Sequence, residues 1–448
     1  MINDLQDFIP LLIFGIVYIL IIGKTQFKIP IWISMAIGAI LMIITQTISI
    51  QQVIGAINFH VIGFLFGMFS IMSALDKSGV LQSFAIRMIS KSKNSPSTLL
   101  AIFIIGMGLL SAFLVNDTVA ILGVVIIAFV IRQIKRLNPQ VLLIGLAFGI
   151  SIGSTMTPIG NPQNLLISLQ SGIDAPLTKF LIVLGPPTII SLLVTTILLK
   201  FYFKNKLLLS DVEEEEQQQQ IQSSVNTLDS TTLKNPVERI IKDTKYAKIS
   251  IFALFITIIG FILTEILLYL RIANIELSLI ALLGAGILYT LSKQRKEILL
   301  SIDYRTLIFF ISMFIFTSGL WYSGTISNLI QAFPNPNPND VFQSSVIITL
   351  SSLGLSQLLS NVPFVSLYNY IMIDNGFTET NVDQWMMLAA SSTIAGNLTI
   401  LGAASNIIII QTAESKGIRP FTFWEFFKIG IIITSISSII FFLFIVVF

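Results

Sequence analysis

Long apolar runs, separated by short polar segments, extend through almost the whole chain. Eight of them have roughly the 17–25 residues that an α-helix needs to cross the apolar core of a bilayer. They cover residues 8–24, 29–49, 54–75, 177–200, 247–270, 274–292, 304–321 and 424–448. This pattern predicts an all-α polytopic membrane protein.

Four further segments are apolar but interrupted, and they cover residues 97–132, 139–170, 341–373 and 384–412. In the first and third, two apolar stretches meet at a polar tip, Asn116-Asp117 and Ser360-Asn361 respectively. In the second, Gly, Ser, Thr, Asn and Pro break an otherwise helical run, and in the fourth Gly, Ser, Thr and Asn do so. We therefore predict two re-entrant hairpins and two helices that are broken within the membrane.

A polar segment at residues 206–246 contains four consecutive glutamates and four consecutive glutamines. Such a tract cannot bury enough apolar area to fold, so it predicts a flexible linker. The linker divides the chain into an N-terminal transmembrane repeat, residues 1–205, and a C-terminal one, residues 247–448.

The two halves share motifs in the same order. The segment 68–79 recurs at 313–324, at an offset of 245, and 157–164 recurs at 399–406, at an offset of 242. Ser, Gly, Thr and Asn recur in order, which favours an internal repeat over chance similarity between apolar segments.

Charge gives the orientation. A cytoplasmic linker places 24 of the 26 Lys and Arg residues on the cytoplasmic side, with Lys179 and Arg271 outside. If the hairpins are re-entrant, each half has five spans, and the odd number inverts the second half. We therefore predict two inverted-topology repeats in the plasma or inner membrane, with both termini outside. Spanning hairpin arms would give the same loop sides, so re-entrance stays open.

A helix broken inside the bilayer leaves backbone groups without partners, which is tolerated where the break is buried in protein or lines a cavity. Helix N-termini favour anions, whereas C-termini and free carbonyls favour cations. Two breaks and two tips related by inversion can therefore form a central solute site.

Individual residues allow two interpretations. Asn116 and Asn361 at the tips are candidates for binding the substrate or a coupling ion, or for capping the following helix. Asp117 is a candidate proton or cation carrier, or a cap. Glu265, near the outer end of its helix, is predicted to reach water.

Enzymatic chemistry is not expected. Gly149-Ile-Ser151-Ile-Gly153 fits a nucleophile motif, but the predicted context is a membrane helix and the single histidine is His60. The chain has no cysteine, so thiolate metal and redox sites are excluded. We expect no cofactor apart from a coupling sodium ion or proton, and no nucleic-acid partner.

With these motifs, the chain resembles the ion transporter superfamily, which includes divalent anion/sodium symporters, arsenite permeases and related sodium/proton antiporters. The chain is also similar to a citrate-transporter-like domain. The segment 152–164 is similar to the symporters' broken helix, and Ser360-Asn361 is similar to the start of their tip. Asn116-Asp117 and the segment 397–402 are more similar to the arsenite permeases. Asp117 and Val362 stand where the symporters have threonine.

The resemblance implies a homodimer in the lipid bilayer with an elevator-like motion. We predict a secondary active transporter of a small anion or oxyacid, coupled to sodium or protons, with a sodium ion near Asn116 and Asn361. Alternatives are arsenite or antimonite efflux, sodium/proton exchange and, from another class, an ion channel. The predicted site residues are Asn116, Asp117, Thr118, Thr157, Gly160, Asn161, Asn164, Ser360, Asn361, Asn397, Thr399, Gly402, Ser405 and Asn406.

Overall fold

Helices form the regular structure of this protein. The computed structural model describes residues 5–22, 29–81, 83, 87, 95–134, 136–209, 243–273, 275–325 and 335–447. Within these ranges there are 18 α-helices and no β-strand. Seven of the described helices are long and apolar enough to cross a membrane. The predicted fold class, an all-α polytopic membrane protein, is confirmed.

The first half contains α1 to α9. Their bounds are α1 Leu5–Ile22, α2 Ile31–Ile44, α3 Ile50–Ala56, α4 Phe59–Lys77, α5 Pro96–Phe113, α6 Asn116–Gln133, α7 Pro139–Gly153, α8 Pro162–Gln170 and α9 Pro176–Tyr202. Four of these helices begin with proline, because its missing N–H and fixed φ suit the first helical position. Side chains of Ser95 and Asn138 cap two of them.

The second half contains α10 to α18. Their bounds are α10 Thr244–Tyr269, α11 Leu277–Leu291, α12 Arg295–Leu300, α13 Tyr304–Tyr322, α14 Val341–Leu359, α15 Asn361–Asp374, α16 Val382–Ala395, α17 Ala404–Ser415 and α18 Phe423–Val446. Aspartates cap three of them, at Asp243, Asp303 and Asp340. Residues 210–242, most of the predicted linker, lie outside the described residues.

The order of helices is the same in both halves, so that each helix of the first half corresponds to the helix nine places later. Many contacts follow the same rule: α4 packs on α11 and α13 on α2, α5 packs on α7 and α14 on α16, and α6 packs on α17 and α15 on α8. Exchanging the halves therefore preserves these contacts. That the second half is inverted across the membrane stays a prediction.

Contacts divide the helices into two bodies. We call α1–α4 with α10–α13 the scaffold, and α5–α9 with α14–α18 the carrier, because packing is denser within each group than between them. The broken helices form the centre of the carrier. In α7 every residue but Gln140 is buried, and Phe148 stacks on Phe426 of α18 with ring centroids 4.8 Å apart. The interrupted backbone is thus enclosed by protein, as the bilayer requires.

Candidate functional site

Each half of the carrier contains one hairpin tip and one helix break. In the first half, α5 and α6 meet at Leu114-Val115, and α7 leads through a 3-10 turn at Ser154–Met156 to α8. In the second half, α14 and α15 meet at Ser360, and α16 leads through a turn at Ile400–Gly402 to α17. We call these features tip 1, break 1, tip 2 and break 2. All four occur where the sequence predicts them.

Breaks 1 and 2 lie side by side. The Ser151 hydroxyl of α7 donates a hydrogen bond of 3.1 Å to the Thr393 carbonyl oxygen of α16. These two residues are counterparts at the repeat offset of 242, so the halves meet at equivalent positions. Asn161 and Gln163 of break 1 also donate to the Thr393 hydroxyl, at 3.3 and 3.4 Å. The structure therefore brings both breaks to the boundary between the halves.

Tip 1 is bonded to break 1. The Asn116 amide N–H donates to the Gly160 carbonyl oxygen at 3.0 Å, and the Thr157 hydroxyl donates to the Ala112 carbonyl oxygen. Gly160 leaves no room for a side chain, because a Cβ atom there would lie 2.5 Å from the Ser154 carbonyl oxygen. This close approach explains the glycine at this position.

Tip 2 reaches break 2 through a glutamine that the sequence reasoning missed. Gln357 of α14 accepts from the Thr399 hydroxyl at 2.7 Å and donates to the Ala395 carbonyl oxygen at 2.8 Å. A Cβ atom at Gly402 would lie 2.8 Å from its Oε1. Gln357 is the counterpart of Ala112, so a side chain here does what a backbone carbonyl does at break 1.

Break 1 satisfies its own polar groups. Asn161 caps α8 by accepting from the Asn164 N–H at 2.8 Å. The Asn164 Nδ2 group donates to three carbonyl oxygens, those of Ser154, Thr155 and Thr157. Its Oδ1 accepts from the Thr393 hydroxyl at 3.1 Å. Asn161 and Asn164 thus use these groups to hold break 1 together.

Break 2 does not. Asn406, the counterpart of Asn164, donates through Nδ2 to the carbonyl oxygens of Gly396 and Thr399, at 2.8 and 3.3 Å. Its buried Oδ1 has no hydrogen-bond partner in the protein. The reason is that Ser151, which the symmetry would place opposite it, donates to the Thr393 carbonyl oxygen instead. An acceptor oxygen is therefore left at the centre.

Further predicted site residues share this property. Buried side-chain atoms without a partner in the protein include Oδ1 of Asn116 and Asn361, both amide atoms of Asn397, and Oγ of Ser405. Buried polar atoms are normally paired, so these groups can bind a solute, an ion or water. Asp117 and Thr118 follow in the first turn of α6 and are half-buried.

The capping interpretation of the two tip asparagines does not fit. The cap positions are Val115 for α6 and Ser360 for α15, and neither side chain caps its helix. Asn116 and Asn361 occupy the first helical positions. Their side-chain oxygens are thus not used as caps.

Ser360 at tip 2 has a strained backbone, with φ 67° and ψ 157°. This region is essentially restricted to glycine, and other residues there cost about 1–3 kcal/mol. We expect Ser360→Gly to raise the free energy of unfolding by about 1 kcal/mol. Denaturant unfolding in detergent measures it. The control is its counterpart Val115→Gly, where φ is −52° and glycine should destabilise; equal effects at both tips would contradict the strain.

Glu265 does not reach water, which corrects the prediction from sequence. It is 6% exposed and accepts from the N–H groups of Leu177 and Thr178, at 2.5 and 2.9 Å, and from the Thr178 hydroxyl. The cap residue of α9, Ala175, has no side chain that can accept, so a carboxylate from α10 takes its place. It thereby joins the scaffold to the carrier.

Comparison with known proteins gives the family. The family model for the citrate transporter matches residues 16–385. The 46 kDa membrane protein of Mycobacterium leprae is 28% identical over 85% of this chain and 84% of its own. An uncharacterized transporter of Mycobacterium tuberculosis is 25% identical over 85% and 84%. Silicon efflux transporter LSI3 of Oryza sativa subsp. japonica is 26% identical over 88% of each chain.

Proposed function

The chain belongs to the citrate transporter family, within the ion transporter superfamily, and from this premise we propose that it is a secondary active transporter of a small anion or weak oxyacid. The family makes it a membrane transporter. One observation supports the location of the site: two helix breaks and two hairpin tips, one of each from each half, meet where buried amide oxygens lack partners.

The unpaired atoms indicate what the ligand offers. Asn116, Asn361 and Asn406 each present a buried Oδ1, which can accept a hydrogen bond or coordinate a cation. The N-termini of α6, α8, α15 and α17 lie at the tips and breaks, and helix N-termini favour negative charge. A solute that carries hydroxyl groups for the amide oxygens and an oxyanion or polar oxygen for the helix N-termini would satisfy both features. An anion bound together with a sodium ion would also satisfy them.

Coupling is assigned to Asp117 and to the tip asparagines. Asp117 is the one acidic side chain among the predicted site residues, and it can carry a proton or balance a cation. We place a sodium site near Asn116 and Asn361, whose amide oxygens are hard ligands of the kind such ions prefer. No cluster of three or more acidic or histidine side chains occurs in the described ranges, so the proposal relies on amide and backbone oxygens.

A second candidate is efflux of an uncharged oxyacid. The Oryza relative is named a silicon efflux transporter, and the predicted site residues include no lysine, arginine or histidine. A multiply charged carboxylate would rely on helix termini alone for charge balance, whereas a neutral hydroxyl donor would pair directly with the free acceptors. We further propose a homodimer in the cytoplasmic membrane, with the linker in the cytoplasm, moving by an elevator mechanism.

The proposal is tested by flux into proteoliposomes. The panel contains citrate, succinate, arsenite and silicic acid, with sodium and proton gradients imposed separately. We expect saturable, gradient-driven accumulation of one solute; dissipation without accumulation would favour a channel. Asn116→Ala and Asn361→Ala should each abolish flux, because each removes an acceptor from the site.

The matched control is Asn375→Ala, an asparagine at the end of α15 whose Nδ2 donates to the Ile371 carbonyl oxygen. It should transport normally. In the same assay Asp117→Asn should remove the dependence on the driving ion. Normal transport by both tip variants would refute the site.

A further inference from the structure

In the described part of the chain, the closest packing between the scaffold and the carrier is not repeated in the symmetry-related helix pairs. Contacts join α13 with α15, α1 with α14, and α4 with α8. The symmetry-related pairs, α4 with α6, α10 with α5, and α13 with α17, do not pack comparably within the described residues. A further contact between the bodies, α9 with α10, includes the Glu265 cap. The two-fold pattern that holds inside each body is therefore broken at the interface between them.

Where the bodies touch, polar and aromatic side chains meet. The hydroxyls of Thr317 and Ser366 are 3.3 Å apart, and those of Ser318 and Tyr370 are also 3.3 Å apart. Trp321 stacks on Tyr370 with ring centroids 5.1 Å apart. We call these five residues the outer seam. They lie on α13 of the scaffold and α15 of the carrier.

The equivalent surface in the first half is uncovered. At the offset of 245, Ser366 and Tyr370 correspond to Ile121 and Val125 of α6, which are 48% and 36% exposed. Ser366 itself is 1% exposed. The same face of the hairpin is thus docked in one half and free in the other.

In the proposed orientation, the free helix α6 and the docked helix α15 run from the tips to opposite sides of the membrane. α15 leads from tip 2 to Asp374, on the outer side, whereas α6 leads from tip 1 towards the cytoplasm. Because the bodies are closed together along α15 and apart along α6, the closed side is the outer one.

We infer that the structure is the cytoplasm-facing state, and that the outer seam residues are positioning residues that hold the outer side closed. The outward-facing state arises when the halves exchange roles: α6 docks on α4 through Ile121 and Val125, and the seam between α13 and α15 separates. The inference rests on the proposed transport function and orientation. Weak polar contacts suit this role, because neutral hydroxyl pairs contribute little net stability and can break in each cycle.

A reversible lock tests the seam, and the natural absence of cysteine makes it direct. In Thr317→Cys/Ser366→Cys, oxidation should cross-link scaffold to carrier and abolish flux, and a reductant should restore it. The control Ser352→Cys/Ser391→Cys, whose hydroxyls are 2.8 Å apart within the carrier, should cross-link without loss of flux. Full flux by the cross-linked protein would overturn the inference. So would a seam pair that fails to cross-link while the control pair does cross-link.

A second measurement does not depend on flux. A membrane-impermeant maleimide should label Ile121→Cys from the cytoplasmic side only, and the seam lock should not reduce this labelling. Phe255→Cys, 62% exposed on the apolar scaffold helix α10, should stay unlabelled, because we place this surface against lipid. Labelling of Ile121→Cys from the outside, or no labelling from either side, would overturn the inference even if no solute of the panel is transported. Labelling from the cytoplasmic side only, without transport of any solute, would refute only the proposed substrate function.

Discussion

Asn164→Ala is expected to lower the free energy of unfolding by about 3–5 kcal/mol, because each buried polar group left without a partner costs about 1–3 kcal/mol. The substitution leaves three carbonyl oxygens and the Thr393 hydroxyl with fewer partners, all of them buried. Urea unfolding of the detergent-solubilised protein, followed by tryptophan fluorescence, measures the change.

The counterpart Asn406→Ala is the matched control. It removes two hydrogen bonds that Asn406 donates and none that it accepts. We therefore expect the free energy of unfolding to fall by about 1–2 kcal/mol, together with loss of flux. Thr393→Val removes the donor to Asn164 Oδ1 together with the acceptor for Asn161 and Gln163, and it should fall between the two. An Asn406→Ala variant as unstable as Asn164→Ala would mean that break 2 is held together as firmly as break 1, contrary to the hydrogen bonding.

Glu265→Ala is expected to destabilise the protein by about 3 kcal/mol, since hydrogen bonds to a charged group are worth about 1.5–3 kcal/mol and the helix N-terminus favours a negative charge. The change uncovers the first N–H groups of α9, at Leu177 and Thr178, in a buried setting. Thermal unfolding in detergent, measured by circular dichroism, would detect the loss.

The helix that corresponds to α9 supplies the control. α18 is capped locally, by Thr422 and Glu425 in a capping box at the surface. Glu425→Ala should cost about 0.5–1 kcal/mol, because water replaces the lost contact. Equal destabilisation by the two alanine variants would contradict the role of Glu265 as a buried bridge between α10 and α9.

The tips and breaks could be placed from sequence because their signals are local. Pro139 and Pro162 begin helices, Gly153 and Gly396 lie where the chain leaves a helix, and Ser360 interrupts an apolar run. The observed hairpin and broken helices fall within a few residues of the predicted ones. The chemistry of the site residues follows from their type: an amide has an acceptor oxygen wherever it lies.

Whether that oxygen is free could not be predicted in this way. Asn164 and Asn406 occupy equivalent positions in the repeat, so their residue type and position do not show which of them has a free oxygen. The difference comes from Thr393, which lies 229 residues from Asn164 in the chain and donates to it, while Ser151 turns its hydroxyl elsewhere. Gln357 was missed for the same reason, since its role depends on hydrogen bonds to Thr399 and Ala395, which are distant in the sequence.

By itself, the sequence determined the helices, the positions of their interruptions, the division into halves of equal helix order and the family. These depend on hydrophobic length, on the backbone preferences of glycine and proline, and on motifs, all of which act over short stretches of chain. The tertiary structure alone decided which amides are consumed by the fold and which stay open, that Glu265 caps a helix of the other body, and which side of the interface is docked. Those outcomes depend on hydrogen bonds between distant residues, and a near-symmetric sequence permits either arrangement until packing selects one.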